Sequence, residues 1–342
     1  MTREMQREIH LANRPKGLPT MEAFDFVEKP MPELKDHEVL VRTLYVSVDP
    51  YMRGRMIDAK SYIPPFKLDE VITGGVVGEV TQSTCDSFKA GDFVVGNLNW
   101  AEYTAASEKE IRKIDPTIAP ITTHLGILGM TGLTAYFGLL DIGKPQEGET
   151  VVVSGAAGAV GSVVGQIAKM KGAKVIGIAG TQEKIEYLKN ELGFDEAVNY
   201  KLDSFNEDLA KAATNGVDVY FDNVGGEVTD AVFTLLNKHA RIALCGAISS
   251  YNKEGQDNGP RIQSTMIKTS ALMKGFTVGD YAADFATAST DLGKWLLEGK
   301  LKYEETIVEG FENIPDAFLG LFDGTNLGKQ LVKVADYETT NR

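Results

Sequence analysis

Apolar residues in the first part of the chain occur in short runs that glycine-rich turns separate. Residues 38–48 mix β-branched and apolar side chains, a composition typical of a strand. Residues 73–80 and 91–96 predict two further strands, each next to glycines. Such glycines favour a small, tightly curved barrel. We therefore expect residues 1–125 to form a β-rich domain.

From Gly126 onward the pattern changes to short apolar strands that alternate with amphipathic helices. The strands are predicted at residues 151–155, 174–179, 217–222 and 241–246. The first helix is predicted from Val160 to its end at Gly172, with Val163, Val164 and Ile167 on one face. Two more helices are predicted over residues 184–192, up to Gly193, and around residues 229–237. This alternation predicts a parallel, doubly wound α/β sheet. Lys333 and Val334 fit a strand that returns to the first domain.

Composition narrows the class of protein. The 342 residues are 43% hydrophobic and 24% charged, ordinary globular values that allow a large core. The net charge of −13 disfavours nucleic acid or an anionic membrane as a partner. The charged N-terminus lacks the apolar core of a signal peptide, and no uncharged apolar run reaches membrane-spanning length. We expect a cytoplasmic protein.

The glycine-rich turn after residue 154 carries the strongest local pattern, Ala156-x-Gly158-x-x-Gly161. Gly158 would let the backbone approach a pyrophosphate, and Gly161 would let the helix pack tightly on the strand. The helix N-terminus offers free N–H groups to phosphates. Because a strand, the turn, a helix and a second strand follow in order, we predict a dinucleotide site. A tight turn without a ligand is the alternative.

The end of the second strand indicates which dinucleotide. An NAD site usually has an acidic residue there to bind the ribose hydroxyls, whereas this chain has Gly180 between Ala179 and Thr181. Thr181 can cap the next helix, which places Lys184 at its third position against the helix dipole. That placement makes sense if Lys184 meets the 2′-phosphate of NADPH. A solvated lysine beside Glu183 is the alternative.

The residues offer few metal ligands. Cys85 and Cys245 form no Cys-x-x-Cys pair, and we expect two buried free thiols. A catalytic zinc needs three protein ligands. The polar segment 47–55 contains no cysteine or histidine, and the glycine turn at 74–75 also lacks a histidine. The histidines, for which packed or surface positions are expected, are His10, His37, His124 and His239. We expect a reaction without a metal ion.

Several motifs together resemble one known family. They are residues 48–56 (VDPYMRGRM), 129–139 (GMTGLTAYFGL), 154–162 (SGAAGAVGS), 222–226 (DNVGG), 245–252 (CGAISSYN), 273–278 (MKGFTV) and 326–329 (NLGK). In combination the chain resembles the zinc-free medium-chain dehydrogenases/reductases. Within them it is similar to the prostaglandin reductase and leukotriene hydroxydehydrogenase branch, which includes plant double-bond reductases and bacterial curcumin reductase-like proteins.

The resemblance implies a GroES-like β-barrel catalytic domain at residues 1–125, completed by 311–342, and a Rossmann NADPH-binding domain at 126–310. It also implies a homodimer. Two departures affect the substrate pocket: Thr131 stands where members often have proline, and residues 267–269 lack a tyrosine that some members carry.

The resemblance also implies a set of NADPH-binding residues. For the pyrophosphate they are Gly158, Ala159, Val160 and Gly161, and for the 2′-phosphate Lys184 and Tyr200. The rest of the cofactor would be lined by Asn223, Cys245, Gly246, Ala247, Ile248, Ser249, Tyr251, Phe276, Thr277, Val278 and Asn326. Tyr51 would lie near the nicotinamide and the substrate carbonyl.

These expectations lead to a hypothesis for the reaction. NADPH would deliver a hydride to the β-carbon of an α,β-unsaturated carbonyl compound, and the negative charge on the carbonyl oxygen would need a hydrogen-bond donor. Tyr51 is the first candidate, with a packing role as the alternative, and Tyr251, also a cofactor-wall residue, is the second. For Arg53 and Arg55, contacts to an anionic ligand compete with ordinary exposed salt bridges.

Two other functions stay open. Related zinc-free proteins reduce quinones, and a protein that binds NADPH without turnover would be a regulator. The polar loop at residues 251–267 is expected to act as a mobile lid.

Overall fold

The computed structural model describes residues 4–337. Contacts divide the chain into two compact units. Of the described residues, those up to Leu125, those from Glu305 to Asn326 and those from Gln330 onward form the first unit, and the second comprises residues 126–304 and 327–329. The chain therefore returns to the first unit at residue 305, earlier than the expected residue 311. The roles of the units as catalytic and NADPH-binding domains remain predictions.

Strands dominate the first stretch of the chain. Its elements are β1 (Met5–Leu11), β2 (Phe24–Pro30), β3 (Glu38–Ser47), α1 (Met52–Arg55), β4 (Thr73–Ser83), β5 (Phe93–Asn99), β6 (Tyr103–Ser107) and β7 (Ile111–Ile114).

Strands and helices alternate in the middle stretch. Its elements are α2 (Met130–Phe137), β8 (Thr150–Ser154), α3 (Gly161–Met170), β9 (Lys174–Ala179), α4 (Gln182–Glu186), β10 (Glu196–Asn199), α5 (Phe205–Ala212), β11 (Val217–Asp222), α6 (Gly226–Phe233), β12 (Leu236–Leu244), α7 (Gln263–Thr269), β13 (Leu272–Gly275) and α8 (Phe285–Leu297). One π-helical turn follows α2 (Gly138–Gly143) and another follows α4 (Tyr187–Glu191).

The final stretch contains β14 (Glu305–Glu309), α9 (Ile314–Asp323) and β15 (Lys329–Lys333). Short 3-10 turns lie at Met21–Ala23, Ile121–Leu125, Ile248–Ser250, Val278–Asp284 and Phe311–Asn313. No helix within residues 4–337 is long and apolar enough to cross a bilayer.

The first unit is built on a sheet with the strand order β14-β15-β3-β4-β5-β7, and β6 also pairs with β3. Strands β1 and β2 form a separate antiparallel pair. Lys333, the expected returning residue, ends β15, which pairs antiparallel with β3. The rings of Phe24, Trp100 and Phe318 pack together in the core, with centroids 6.3 Å apart in each pair.

The second unit contains a parallel sheet with the order β10-β9-β8-β11-β12-β13. Every neighbouring pair in it is parallel, and this confirms the predicted doubly wound sheet. Val163, Val164 and Ile167 are buried on one face of α3, as their spacing predicted. Gly172 follows α3 with a φ of 78°, a left-handed conformation that suits glycine and ends the helix.

Two predicted segments differ from the structure. The helix expected around residues 229–237 ends at Phe233, and Leu236 already begins β12. Leu236 pairs with Val217, and the Asn237 side chain donates to Asp218, so contacts with β11 override the local helical pattern. The expected loop at 251–267 includes the first turn of α7, which begins at Gln263.

Candidate active site

The predicted cofactor residues of the second unit lie at one edge of the parallel sheet. They follow the carboxyl ends of β8, β9, β10, β11, β12 and β13. Parallel strands all point the same way, so these ends meet at a common edge. Strand β8 lies between β9 and β11, where the chain changes direction across the sheet. Open α/β sheets bind ligands at this kind of switch point.

The glycine turn after β8 has two different constraints. A Cβ at Gly161 would collide with the carbonyl oxygen of Gly155 and lie 2.7 Å from the Cα of Ala156. Both are backbone atoms, so only glycine allows α3 to start this close to β8. A Cβ at Gly158 would meet only the Gly155 oxygen, at 3.3 Å. Gly158, Ala159 and Val160 keep exposed surface, so a ligand can reach this turn.

The end of β9 has no acidic side chain and no room for one without rearrangement. A Cβ at Gly180 would lie 2.9 Å from Cε1 of Tyr200 and 3.2 Å from Cε of Lys201. The next residue, Thr181, caps α4 by accepting the backbone N–H of Lys184 at 3.3 Å, as predicted. The Tyr200 phenol and the Lys201 side chain therefore lie against Gly180, and Lys184 lies in the first turn of the helix that follows.

The two lysines are close enough to affect each other. Burial, followed by the charge of Lys201, lowers the pKa of Lys184. Lys201 is exposed, and no carboxylate within residues 4–337 forms an ion pair with it. Two nearby cations favour an anion between or beside them. The sequence patterns did not identify Lys201 as a site residue; its place beside Tyr200 in the Asn199-Tyr-Lys segment is the feature that would have indicated it.

A buried carboxylate organises the loops after β11 and β12. Oδ1 of Asp222 accepts from the hydroxyls of Ser154 and Tyr220 at 3.0 and 2.9 Å. The same oxygen accepts the N–H groups of Val224 and Gly225, both at 2.9 Å, and Oδ2 accepts from Thr229. These bonds satisfy a charge that is 1% exposed.

The network fixes Asn223 and the start of the next loop. Asn223 donates its backbone N–H to Oγ of Ser154 and its side-chain amide to the carbonyl oxygen of the same residue. The N–H groups of Cys245 and Gly246 both donate to the carbonyl oxygen of Asp222. The hydrogen bonds around Asp222 thus hold predicted cofactor residues on two loops.

Tyr251 folds back on its own loop. Its hydroxyl oxygen accepts the N–H of Ala247 at 3.2 Å, and burial raises its pKa. The phenolic proton is then available to a ligand. Cys245 keeps some exposed surface, contrary to the expected burial, but its thiol is desolvated. Burial and the nearby Asp222 raise the thiol pKa to about 12.

The remaining predicted cofactor residues lie after β13 and in the last segment of the chain. The Phe276 ring contacts that of Phe221 edge-on, with centroids 6.3 Å apart. Thr277 starts the 3-10 turn at Val278 and donates its N–H to Asp280. Asn326 belongs to the first unit.

Tyr51 belongs to the first unit and immediately precedes α1. It is half-buried, and burial, followed by the nearby Asp49, raises its pKa, whereas Arg55 opposes the rise. Asp49 accepts a 2.5 Å hydrogen bond from the hydroxyl of Ser47. The phenol is therefore protonated at neutral pH and can act as a hydrogen-bond donor.

Neither arginine after Tyr51 lies on the open surface where the expected exposed salt bridges would form. Arg53 is 3% exposed and donates to the carbonyl oxygens of Pro15 and Gly17. Arg55 is half-buried, with its guanidinium carbon 3.9 Å from the ring centroid of Phe66. Within residues 4–337 no carboxylate forms an ion pair with Arg55. In the same range, no three histidine, cysteine or acidic side chains are grouped to hold a metal ion.

Comparisons with known proteins cover nearly the whole chain. Residues 7–114 match the family described as the N-terminal domain of oxidoreductase, and residues 159–294 match the family described as zinc-binding dehydrogenase. The chain is 64% identical to a putative NADP-dependent oxidoreductase, YfmJ, of Bacillus subtilis (strain 168), over 97% of this chain and 98% of the relative.

Two further proteins are similar at lower identity. The NADPH-dependent curcumin reductase of Escherichia coli (strain K12) is 43% identical, over 97% of this chain and 98% of its own length. The crystal structure of CurA from Vibrio vulnificus in complex with NADPH superposes with a TM-score of 0.93 at 46% identity. That match covers 97% of this chain and all of CurA (100%).

Proposed function

The chain belongs to the medium-chain dehydrogenase/reductase family, and we propose that it uses NADPH to reduce the carbon–carbon double bond of α,β-unsaturated ketones and aldehydes. The observation that carries the proposal is the dinucleotide edge of the parallel sheet. There a glycine turn suited to a pyrophosphate lies beside a position where lysines and a tyrosine replace the usual acid. The names of the similar proteins agree with NADPH as the cofactor.

The residues at this edge fit NADPH. A dinucleotide would lie with its pyrophosphate against Gly158–Gly161 and its 2′-phosphate among Lys184, Tyr200 and Lys201. A 2′-phosphate is a dianion, and the lysine charges that repel each other without it would both be stabilised by it. NADH has no group that could replace this contact, so the edge favours NADPH.

Bound NADPH supplies the hydride that the β-carbon of the substrate receives. The protein's part is to bind the substrate carbonyl and to stabilise the negative charge that forms on its oxygen. Tyr51 is the proposed donor to that oxygen, because its phenol is half-buried and stays protonated. One such donor typically lowers the activation barrier by about 3 kcal/mol. Water would then protonate the α-carbon.

Tyr251 has a supporting role in this proposal. Its hydroxyl is fixed by the N–H of Ala247, which orients the phenol within the loop from Cys245 to Tyr251. We propose that it forms part of the cofactor wall and is a second candidate donor. The mechanism needs no metal ion, because tyrosine hydroxyls supply the electrostatic stabilisation.

An activity screen tests the proposal. NADPH absorbance would be followed with 2-alkenals, cyclic and aryl enones, and quinones, each with and without a chelator. We expect consumption with enones and enals that a chelator does not change, and a kcat for Tyr51→Phe roughly 100-fold lower. A strong preference for ortho-quinones would instead indicate a quinone reductase. Tight NADPH binding without consumption on any acceptor would indicate a regulator.

Localisation stays a prediction from the sequence, and assembly stays one from the family resemblance. We propose a cytoplasmic homodimer, and light scattering of the purified protein tests the oligomeric state. A monomer across the accessible concentration range would contradict it.

A further inference from the structure

Tyr51 and Arg55 lie one helical turn apart. Tyr51 precedes α1 with helical backbone angles, φ −59° and ψ −25°, and Arg55 is the last residue of that helix. Residues at positions i and i+4 of a helix lie on the same face, with their Cβ atoms roughly 5–6 Å apart. The backbone therefore places the two side chains on the same face, where each shifts the pKa of the other.

Three contacts hold the Arg55 guanidinium in place. Its carbon stacks on the Phe66 ring, 3.9 Å from the centroid. Its Nε donates to the carbonyl oxygen of Pro64 at 3.0 Å, and Nη1 donates to Oγ1 of Thr73 at 3.2 Å. A planar group fixed on three sides cannot turn away to another partner, so its remaining N–H groups keep a defined direction.

The charge of Arg55 is not cancelled nearby. No carboxylate forms an ion pair with it in the part of the chain that the structure describes. The charged and titratable groups that face Tyr51 are Asp49, Arg55 and Tyr62. Asp49 accepts the hydroxyl of Ser47, and Tyr62 is 69% exposed. Arg55 is thus the cation that acts on the phenol.

We propose that Arg55 is a positioning residue. Its guanidinium donates a hydrogen bond to the hydroxyl oxygen of Tyr51 and so turns the phenolic proton toward the substrate carbonyl. The inference rests on the proposed role of Tyr51. A phenol that accepts a charged hydrogen bond becomes a stronger donor, because the guanidinium withdraws electron density from its oxygen. Positive charge then lies behind the donor at the point where negative charge forms on the substrate.

The direction of the titration shift agrees with this geometry. Burial and Asp49 both raise the pKa of Tyr51, and Arg55 is the neighbour that lowers it. A purely structural brace would not need to face the phenol. Such a brace exists nearby in Arg14, which donates to the carbonyl oxygens of Met56 and Phe66 at 3.1 and 2.9 Å.

Steady-state kinetics with an enone substrate test the proposal. The variants are Arg55→Gln, Arg55→Lys, Tyr51→Phe, the double variant Tyr51→Phe/Arg55→Gln, and Arg14→Gln as the control for loosening the same segment. We expect Arg55→Gln to lower kcat roughly 10-fold, less than loss of a direct donor, with the KM for NADPH unchanged. Arg55→Lys should recover part of the loss in kcat. Arg14→Gln should lower the melting temperature with little change in kcat.

The double variant decides whether Arg55 acts through Tyr51. If it does, adding Arg55→Gln to Tyr51→Phe costs no further activity. An undiminished loss of kcat in the Tyr51→Phe background would overturn the proposal.

A second readout does not depend on turnover or cofactor. Tyrosine-specific isotope labelling and NMR of the cofactor-free protein give a Tyr51 signal, assigned by its absence in Tyr51→Phe. We expect this signal to move in Arg55→Gln, to return part of the way in Arg55→Lys and to stay in place in Arg14→Gln. A signal unmoved by Arg55→Gln refutes the contact. If the wild type reduced no conjugated carbonyl, the proposed function would fail while this measurement still decided the contact.

Discussion

Replacing Lys184 by alanine separates a phosphate-binding role from a structural one. The helix cap at this position uses the backbone N–H of Lys184, which Thr181 accepts. Alanine keeps that bond and has the highest helix propensity, so α4 should still begin at Gln182. The change therefore removes an ammonium group beside Gly180 and leaves the local fold in place.

The size of the effect follows from the loss of one charged hydrogen bond. A hydrogen bond to a charged group contributes about 1.5–3 kcal/mol, and each 1.4 kcal/mol corresponds to roughly a tenfold change in affinity. Lys184 keeps some exposed surface, and solvent screening favours the lower part of this range. We expect the Kd for NADPH to rise roughly 10- to 30-fold.

The effect of Lys184→Ala on the affinity for NADH should be absent or of opposite sign. Burial is the main cause of the lowered pKa of Lys184, and repulsion between Lys184 and Lys201 adds to it when no 2′-phosphate is present. Removing one of them leaves the affinity for NADH unchanged or improves it. The ratio of the two affinities therefore falls by about the same factor as the loss for NADPH.

Fluorescence titration of the purified protein with NADPH and NADH measures both constants. Lys189→Ala is the matched control, because Lys189 follows α4, is 43% exposed and pairs with Glu196. Its Kd for NADPH should stay unchanged. The effect should weaken as salt rises. A ratio unchanged by Lys184→Ala, or a loss of equal size for both dinucleotides, refutes the phosphate role.

Two further predictions concern stability. The hydroxyl of Thr131 is buried without a hydrogen-bond partner within residues 4–337, so Thr131→Val should stabilise the protein by up to about 1 kcal/mol in urea unfolding; a loss of stability would mean that the hydroxyl is satisfied. Burial, followed by Arg112, lowers the pKa of His124 from 6.5 to about 4. Because the unfolded chain takes up that proton more readily, stability should fall between about pH 6.5 and about pH 4, and His124→Gln should reduce the fall in the urea midpoint.

The parallel sheet was predictable because its patterns are local and continuous. Val151 to Val153 are fully buried in β8, and their uninterrupted apolar run is what a strand covered on both faces requires. The constraint on Gly161 also follows from sequence, since a helix that packs tightly against the turn after a strand leaves no space for a Cβ at its first residue. The cap of Thr181 on Lys184 depends on residues three apart and was likewise predictable.

Contacts between distant segments were not predictable in this way. The strand character of Leu236 and Asn237 comes from pairing with β11, which overrides a pattern that reads as helix. Arg55 looked like a surface residue because its partners Pro64, Phe66 and Thr73 lie on a loop and on another strand. A single sequence holds no record of which aromatic ring or carbonyl will meet a given side chain.

The end of β9 shows why cofactor choice depends on a group of residues and not on one acid. In NAD sites a carboxylate at the strand end binds the ribose hydroxyls. Here any side chain at Gly180 would first have to displace the Tyr200 ring, 2.9 Å from its Cβ, and Lys201, 3.2 Å away. A carboxylate placed there would also meet the Lys201 ammonium and form an ion pair with it before it could bind a ribose. The glycine, the phenol and the lysines therefore depend on one another, and a change of cofactor requires that they change together.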